Sequence, residues 1–545
     1  MSLSPRKSPV SSLAEWLIPA GLFVLFLLIT LPGIAWGAPD LWHPDEIVKE
    51  ADMALSGDYQ FDEENFDYPS LPKYVLYGLG KVTYDLGYDQ ADFIIVARSL
   101  SAVLGGLVVA LAYALTRLLG GRVLSAVLAA LLLISSSELV LNSRFAHNDL
   151  YLAFFSTLAI LSTLLYRRSG GKGWLYLSFL LVGLAASSKY NGLSLVIVPL
   201  AVYFLLQRKV VVNNGLATLE TLFIAATLTA LGYALGTPKA LLWAAFYFKR
   251  AIPAILRHAT YARQPGSPVG LLGQWEQLIQ MLGLGVFLLM AGAVVWYAVM
   301  LVRSTRGKTV PSQVQLPLVG VALLALLAMD LPMLISFNYQ PRFYLSMLPV
   351  LAVLGALLVQ DLVGVSAGSG MRWLAWLVSI GAVLLVIYSF LRVASTVLVF
   401  QHDARIPASA YLQTLPEGST IEYTLYPPTI DRERFTRSHN YPIFFKKFPD
   451  QALPTSRLYE FNRGEAGIEE RQTDYLVIDS FTYERFADAY ICALHQAECD
   501  FFTRLRQGGT NYSLVQSFEY DPPAWLPQLK LPFVNPRIEI YQRSD

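Results

Sequence analysis

Eleven apolar stretches, each long enough to cross a bilayer or nearly so, leave this 545-residue chain few folds to choose from. They fall at about 16–36, 93–116, 123–141, 149–166, 174–187, 191–207, 216–236, 277–302, 314–336, 345–363 and 373–397. About twenty apolar residues in helical form cover the hydrocarbon core, so each stretch reads as a transmembrane helix. With 54% hydrophobic and 15% charged residues the chain is too apolar for a soluble fold and too long for one domain. The balance of 41 basic against 40 acidic residues gives no reason to expect nucleic acid, and matters through where the charges fall.

Those charges orient the spans. Arg6 and Lys7 precede the first stretch, which exceeds a signal-peptide core and is expected to stay in the mature protein. Arg117 and Arg122, then Arg167, Arg168 and Lys172, then Arg208 and Lys209, then Arg303, Arg306 and Lys308, then Arg372 fall in alternate loops on that same side. Lys and Arg collect on the cytoplasmic face, so the N-terminus is predicted inside and residues after about 398 outside. The fifth and sixth stretches are short and separated by Ser187-Ser188-Lys189-Tyr190-Asn191-Gly192; merging them would break the charge rule, so they are kept apart. The expected architecture is a polytopic α-helical membrane domain over 1–397, with a first outer loop at 38–92, followed by an extracytoplasmic α/β domain over 398–545.

Polar residues converge on the outer face. Trp42-His43-Pro44-Asp45-Glu46 places two carboxylates just past the first span, where ionised groups are too costly to keep without a use. An acidic run, Asp62-Glu63-Glu64-Asn65-Phe66-Asp67-Tyr68, follows in the same loop. Arg144-Phe145-Ala146-His147-Asn148-Asp149 opens the fourth span, Lys189 and Tyr190 lie between the fifth and sixth, and Tyr339-Gln340-Pro341-Arg342 enters the tenth. The loop at 237–276 carries Lys239, Lys249, Arg250, Arg257, His258 and Arg263 against Glu276 alone, although positive charge is disfavoured outside. Such cations suit an anionic phosphate headgroup; equally, with Trp243, Phe246, Tyr247 and Phe248, they suit an amphipathic helix lying on anionic lipid.

The Asp45-Glu46 pair, Arg98 in the second span, the Arg144 to Asp149 element, Lys189-Tyr190-x-Gly192 and Pro341-Arg342-Phe343-Tyr344-Leu345 together resemble the protein O-mannosyltransferase-like branch of the GT-C glycosyltransferases. That branch includes the bacterial enzymes that add aminoarabinose to lipid A, and the similarity covers roughly residues 12–397. The resemblance implies a GT-C fold and transfer of a sugar from a polyprenyl-phosphate carrier to a lipid, glycan or protein acceptor, in the plasma (inner) membrane. Such a donor already has a good leaving group. The enzyme must deprotonate an acceptor hydroxyl, position it and stabilise the departing phosphate.

In that scheme Asp45 is the general base, Glu46 orients the loop or binds acceptor, and Asp149 is the third acid. Lys189, Arg342, Arg144, Arg257, His258 and Arg250 are the candidate phosphate ligands, and His147, Asn148, Tyr68, Tyr190 and Tyr339 the candidate substrate contacts. A divalent ion on Asp45, His147 and Asp149 is a further reading, but no ligand spacing demands one and no essential metal is expected. Each assignment has a structural competitor. The acid pair suits a helix N-terminus, the arginines can anchor at the interface or pair with buried acids, and tyrosines are frequent interface anchors. The rival class, a lipid-linked-sugar flippase or transporter, would more naturally show inverted repeats and broken helices at the bilayer middle.

In the tail, a helix is predicted at 403–415, strands near 420–426, 474–478, 512–520 and 537–542, and one long helix at 483–505. Cys492 and Cys499 are the two cysteines of the chain. On an unbroken helix seven residues separate Cα atoms by about 10.5 Å, beyond bridging range. A disulfide therefore requires a helix break near 495–498.

Overall fold

The computed structural model describes residues 13–56, 65–260, 270–334, 336, 339–435, 437–440, 468–469 and 472–544. The chain divides into two compact units, one of residues 1–34 with 46–393 and one of 35–45 with 394–545.

The first unit is helical. Among the described residues seven helices are long and apolar enough to cross a membrane, including Gln90–Leu118, Asn148–Ser169, Gly215–Gly236, Leu284–Thr305, Leu316–Leu334 and Leu348–Gly368; the seventh begins at Arg372. Shorter apolar helices cover Leu13–Thr30, Val123–Ile134 and Ile197–Leu206, and Lys172–Ser188 lies between. Local chemistry sets several ends. Asp89 and Asp92 form a reciprocal capping box at the start of Gln90–Leu118, and Gly170, at φ 73°, closes Asn148–Ser169 in the left-handed conformation.

The sequence expectation and the structure part company at three apolar stretches. The first helix stops at Thr30 rather than running to 36. The third ends at Ile134, and the separate short helix Ser137–Asn142 follows. The eighth divides at Gly283, whose positive φ of 76° separates Leu271–Leu282 from Leu284–Thr305. Between the fifth and sixth stretches the helix does break: Lys189 is extended, with φ −156° and ψ 137°, and a 3-10 turn, Tyr190–Val196, follows. Helices Lys172–Ser188 and Gly215–Gly236 pack closely through two glycines. A Cβ on Gly183 would collide with Thr229 O, and one on Gly232 with Leu180 O. Only a bare backbone permits this approach.

The second unit contains a five-stranded sheet of β1 (Thr420–Tyr423), β2 (Arg437–Asn440), β3 (Tyr475–Asp479), β4 (Tyr512–Phe518) and β5 (Ile538–Arg543), in the order β2-β1-β3-β5-β4. β1 runs parallel to β2 and β3, whereas β5 is antiparallel to β3 and β4. The period-two alternation of β3 feeds two cores. Tyr475 and Val477 join Ala408 and Leu412 of helix Arg405–Leu412, and Leu476 and Ile478 join Phe501, Phe502 and Leu505.

The long helix expected at 483–505 is interrupted instead. Ala489–Leu494 ends at His495 and Gln496–Arg506 begins anew, which brings the Cys492 and Cys499 Cα atoms to 5.3 Å and allows their disulfide. The unit boundaries also differ from those drawn on composition: the second unit resumes at 394, and residues 35–45, from the end of the first expected span into the first loop, belong with it.

Replacing Gly183 or Gly232 by leucine should force the two helices apart and cost on the order of 1–3 kcal/mol. A lower thermal midpoint in detergent, set against an unchanged midpoint for Gly173→Leu in open space, measures the effect.

Candidate active site

Within the helical unit, charged side chains from three segments meet. His147 caps helix Asn148–Ser169, so Asp149 sits in its first turn, where a carboxylate is favoured by the helix N-terminus. Lys189 comes from the break after Lys172–Ser188, and Arg342 from the 3-10 turn Pro341–Tyr344. Lys189 Nζ donates to Asp149 Oδ1 at 2.7 Å, and His147 Nδ1 lies 2.8 Å from Asp149 Oδ2. Arg342 Nη1 is 3.2 Å from His147 Nε2.

These contacts select a tautomer. Nδ1–H donates to the Asp149 carboxylate, and Nε2 keeps its lone pair to accept from Arg342. The longer 3.4 Å approach of Asp149 N–H to Nδ1 is incompatible with that proton and is the weaker interaction. Burial, reinforced by Arg342, holds His147 below the ordinary imidazole range, consistent with a neutral ring. Lys189 Nζ also stands 4.1 Å from the Phe343 ring centroid and 5.8 Å from that of Tyr68, whose ring meets His147 edge-on at 5.9 Å. Tyr68 thus borders the cluster that Asp149, His147, Lys189 and Arg342 form.

Glu138 is the residue sequence reading passed over. It lay inside an expected span, where nothing in the pattern distinguished it. On the short helix Ser137–Asn142 it is buried, its Oε1 accepts from Asn142 Nδ2 at 2.8 Å, and its field reaches Arg342 and Asp149. Burial pushes its carboxyl up to about 7.

Other candidates have different surroundings. Glu46, expected to orient the loop or bind acceptor, is held in an ion pair. Its Oε1 and Oε2 receive Arg98 Nε and Nη2, each at 2.8 Å, and Oε1 also accepts from Ala146 N–H at 2.9 Å. Both side chains of this bidentate pair are completely buried. Arg144, expected on a phosphate, turns to the first helix and donates to Ile29 O at 2.9 Å.

Asn148 Nδ2 donates to Ser188 O at 3.3 Å. The Tyr190 hydroxyl donates to Phe66 O at 2.8 Å and accepts from Tyr247, which is hydrogen-bonded to Tyr233. Tyr339 Oη bridges Ser336 O and Gly270 N–H. On Ala244–Thr260, Arg250 lies 3.9 Å from the Phe246 ring centroid. The side chains of Arg257 and His258, and residues Asp62, Glu63, Glu64 and Arg263, lie outside the described residues. Asp45 belongs to the other unit, half-buried, with its N–H 3.2 Å from His43 Nδ1. Among the described residues no group of three or more His, Cys, Asp or Glu is arranged to hold a metal ion.

Residues 80–250 match the family model for dolichyl-phosphate-mannose-protein mannosyltransferase. The chain is similar in structure to ArnT from Cupriavidus metallidurans bound to undecaprenyl phosphate, with a TM-score of 0.50 and 14% identity over 87% of this chain and 95% of that one. It is similar also to the apo oligosaccharyltransferase of Archaeoglobus fulgidus, with a TM-score of 0.53 and 12% identity over 97% and 77% of the two chains. The fold is the GT-C fold. No curated protein matches the sequence. The family match contains Arg98, His147, Asp149 and Lys189, and stops short of Arg342 and Asp45.

Two outcomes follow from this geometry. Glu46→Gln should destabilise the helical unit by about 3–5 kcal/mol, because Arg98 is left buried without its counter-charge; Glu46→Gln combined with Arg98→Met should recover much of that loss in a thermal melt. The second concerns pH. A His with a lowered folded-state pKa makes its full contribution to stability above the ordinary imidazole value of about 6.5 and loses it as pH falls below that value. Glu138, raised in the folded state, gives the opposite slope, so the difference between native and His147→Gln melts from pH 7.5 to 5 isolates the imidazole. That difference should shrink on acidification.

Proposed function

We propose that the protein is a membrane glycosyltransferase that moves a sugar from a polyprenyl-phosphate-linked donor to an acceptor hydroxyl on the outer face of the plasma membrane. The observation that carries this reading is the gathering of Lys189 and Arg342 around Asp149 and His147 on a GT-C fold. Arg342 can present a planar fork and Lys189 a point charge to a phosphate, with Phe343 and Tyr68 shielding the lysine. ArnT binding undecaprenyl phosphate on the same fold, and the mannosyltransferase family match, support a lipid-phosphate donor.

Asp45 is the proposed general base. As the acceptor oxygen attacks the anomeric carbon, Asp45 takes its proton, the bond from that carbon to the phosphate oxygen breaks, and the electron pair leaves on the polyprenyl phosphate. Lys189 and Arg342 stabilise the charge that develops there. Asp149 then serves as an orienting group, holding Lys189 directly and Arg342 through His147. The resemblance of the Asp45-Glu46 pair after the first span favours Asp45 for the base. We propose no essential metal, because His147 spends Nδ1 on Asp149 and Nε2 on Arg342.

The test is transfer from defined polyprenyl-phosphate sugars in nanodiscs. Native protein should form product, and Asp45→Asn should lower kcat about 100-fold or more with donor binding retained. Lys189→Met should weaken both donor binding and turnover, and EDTA should leave the rate unchanged. Lipid scrambling without product from any donor would identify a flippase instead.

A further inference from the structure

Residues 35–45 are separated from the tail by some 350 residues of chain, yet form one compact unit with it. The reason is a fully buried ion pair. Asp403 and Arg405 have no exposed side-chain surface, and Arg405 Nη2 donates to Asp403 Oδ2 at 2.8 Å while Nε donates to Oδ1 at 3.0 Å. Such a pair is costly to bury unless its remaining hydrogen-bonding capacity is met. The first loop meets part of it. Trp36 Nε1 donates to Asp403 Oδ2 at 3.0 Å, and the Arg405 guanidinium lies 4.9 Å and 4.5 Å from the rings of Trp36 and Trp42.

The tail itself completes the arrangement. Asn535 N–H donates to Asp403 Oδ2 at 2.7 Å, Arg405 Nη2 donates to Phe533 O at 2.8 Å, and Phe400 packs on Trp36 at 4.8 Å. Gly37, at φ 70°, lets the backbone fold beneath Trp42, whose ring occupies the place a Cβ would take. Beyond Trp42 the hold extends toward Asp45. The His43 ring rests edge-on against Phe533 at 4.9 Å, and its Nδ1 accepts from Asp45 N–H. Tyr426, whose hydroxyl accepts from Arg485 at 2.8 Å, lies within the field of the Asp45 carboxylate.

We propose that the C-terminal domain is a working part of the transferase, with Asp403 and Arg405 as positioning residues that clamp Trp36 and Trp42 and thereby fix the placement of Asp45. This rests on the reading of Asp45 as the base. Because a rigid element must hold a catalytic carboxylate to within a fraction of an ångström, loosening the clamp reaches kcat before it reaches donor binding. The clamp shares no residue with the Lys189–Asp149–His147–Arg342 cluster, so the two can be separated by experiment.

Two variants test it in nanodiscs: Asp403→Asn with Arg405→Met, which removes both charges together, and Trp36→Phe, which removes one donor and keeps the ring. Amide hydrogen exchange of residues 36–45 and steady-state kinetics are read side by side, with helix Leu348–Gly368 as the internal control. The expected result is faster exchange over 36–45 alone, with kcat at least tenfold lower and donor KM unchanged. Trp36→Phe should show the same split more weakly, and it carries the test should the double variant fail to fold. Unchanged exchange over 36–45, or faster exchange with native kcat, overturns the proposal. If native protein turns over no donor while the variants still expose 36–45, the clamp stands and the assignment of activity falls.

Discussion

A charge placed in an apolar interior must meet an opposite charge and have its hydrogen bonds filled, or be given up. That constraint organises both units of this protein. Glu46 with Arg98 and Asp403 with Arg405 are buried pairs, Asp149 is a buried acid paired with a partly exposed Lys189, and each pair joins segments distant in sequence or completes a network that does. Glu46 reaches from the first loop to Gln90–Leu118 and to the turn before His147. Asp149 draws Lys189 out of a helix break. Asp403 and Arg405 draw two tryptophans out of the first loop.

The division of labour between Asp45 and Glu46 illustrates the consequence. The two are adjacent and chemically alike, yet one is enclosed by a guanidinium fork and a backbone N–H whereas the other is half-buried and held through its backbone by His43. Adjacent side chains on an extended or turning backbone point different ways, so a shared sequence motif becomes two unlike environments. A fully engaged carboxylate buried against arginine is a fixture of the fold. Its neighbour sits in a different setting, half-buried and next to His43.

The cluster around Asp149 has the complementary character. A neutral His147 between Asp149 and Arg342 holds the guanidinium at a defined distance without adding another charge. Lys189 is held on one side by the carboxylate and flanked by aromatic rings on the other. On the proposed reading, cations kept in place before a phosphate arrives stabilise it without reorganising, which is where electrostatic catalysis draws most of its strength.

The amino-acid sequence by itself determined the membrane class, the position of nearly every apolar helix, the break at Lys189 and the strands of the tail other than β2, because hydropathy and periodicity are local properties. It also singled out Asp149, His147, Lys189 and Arg342, since charged residues at span ends are rare enough to stand out. Tertiary structure alone decided their roles. Nothing local told Arg98 and Arg144, which hold the fold, from Arg342, which joins the cluster, or marked Glu138 as buried beside it. Nor could composition assign residues 35–45 to the tail, because that membership rests on Trp36 and Trp42 meeting a guanidinium more than 350 positions away. Pairing between distant charges is a property of the folded chain, and only the fold brings the partners together.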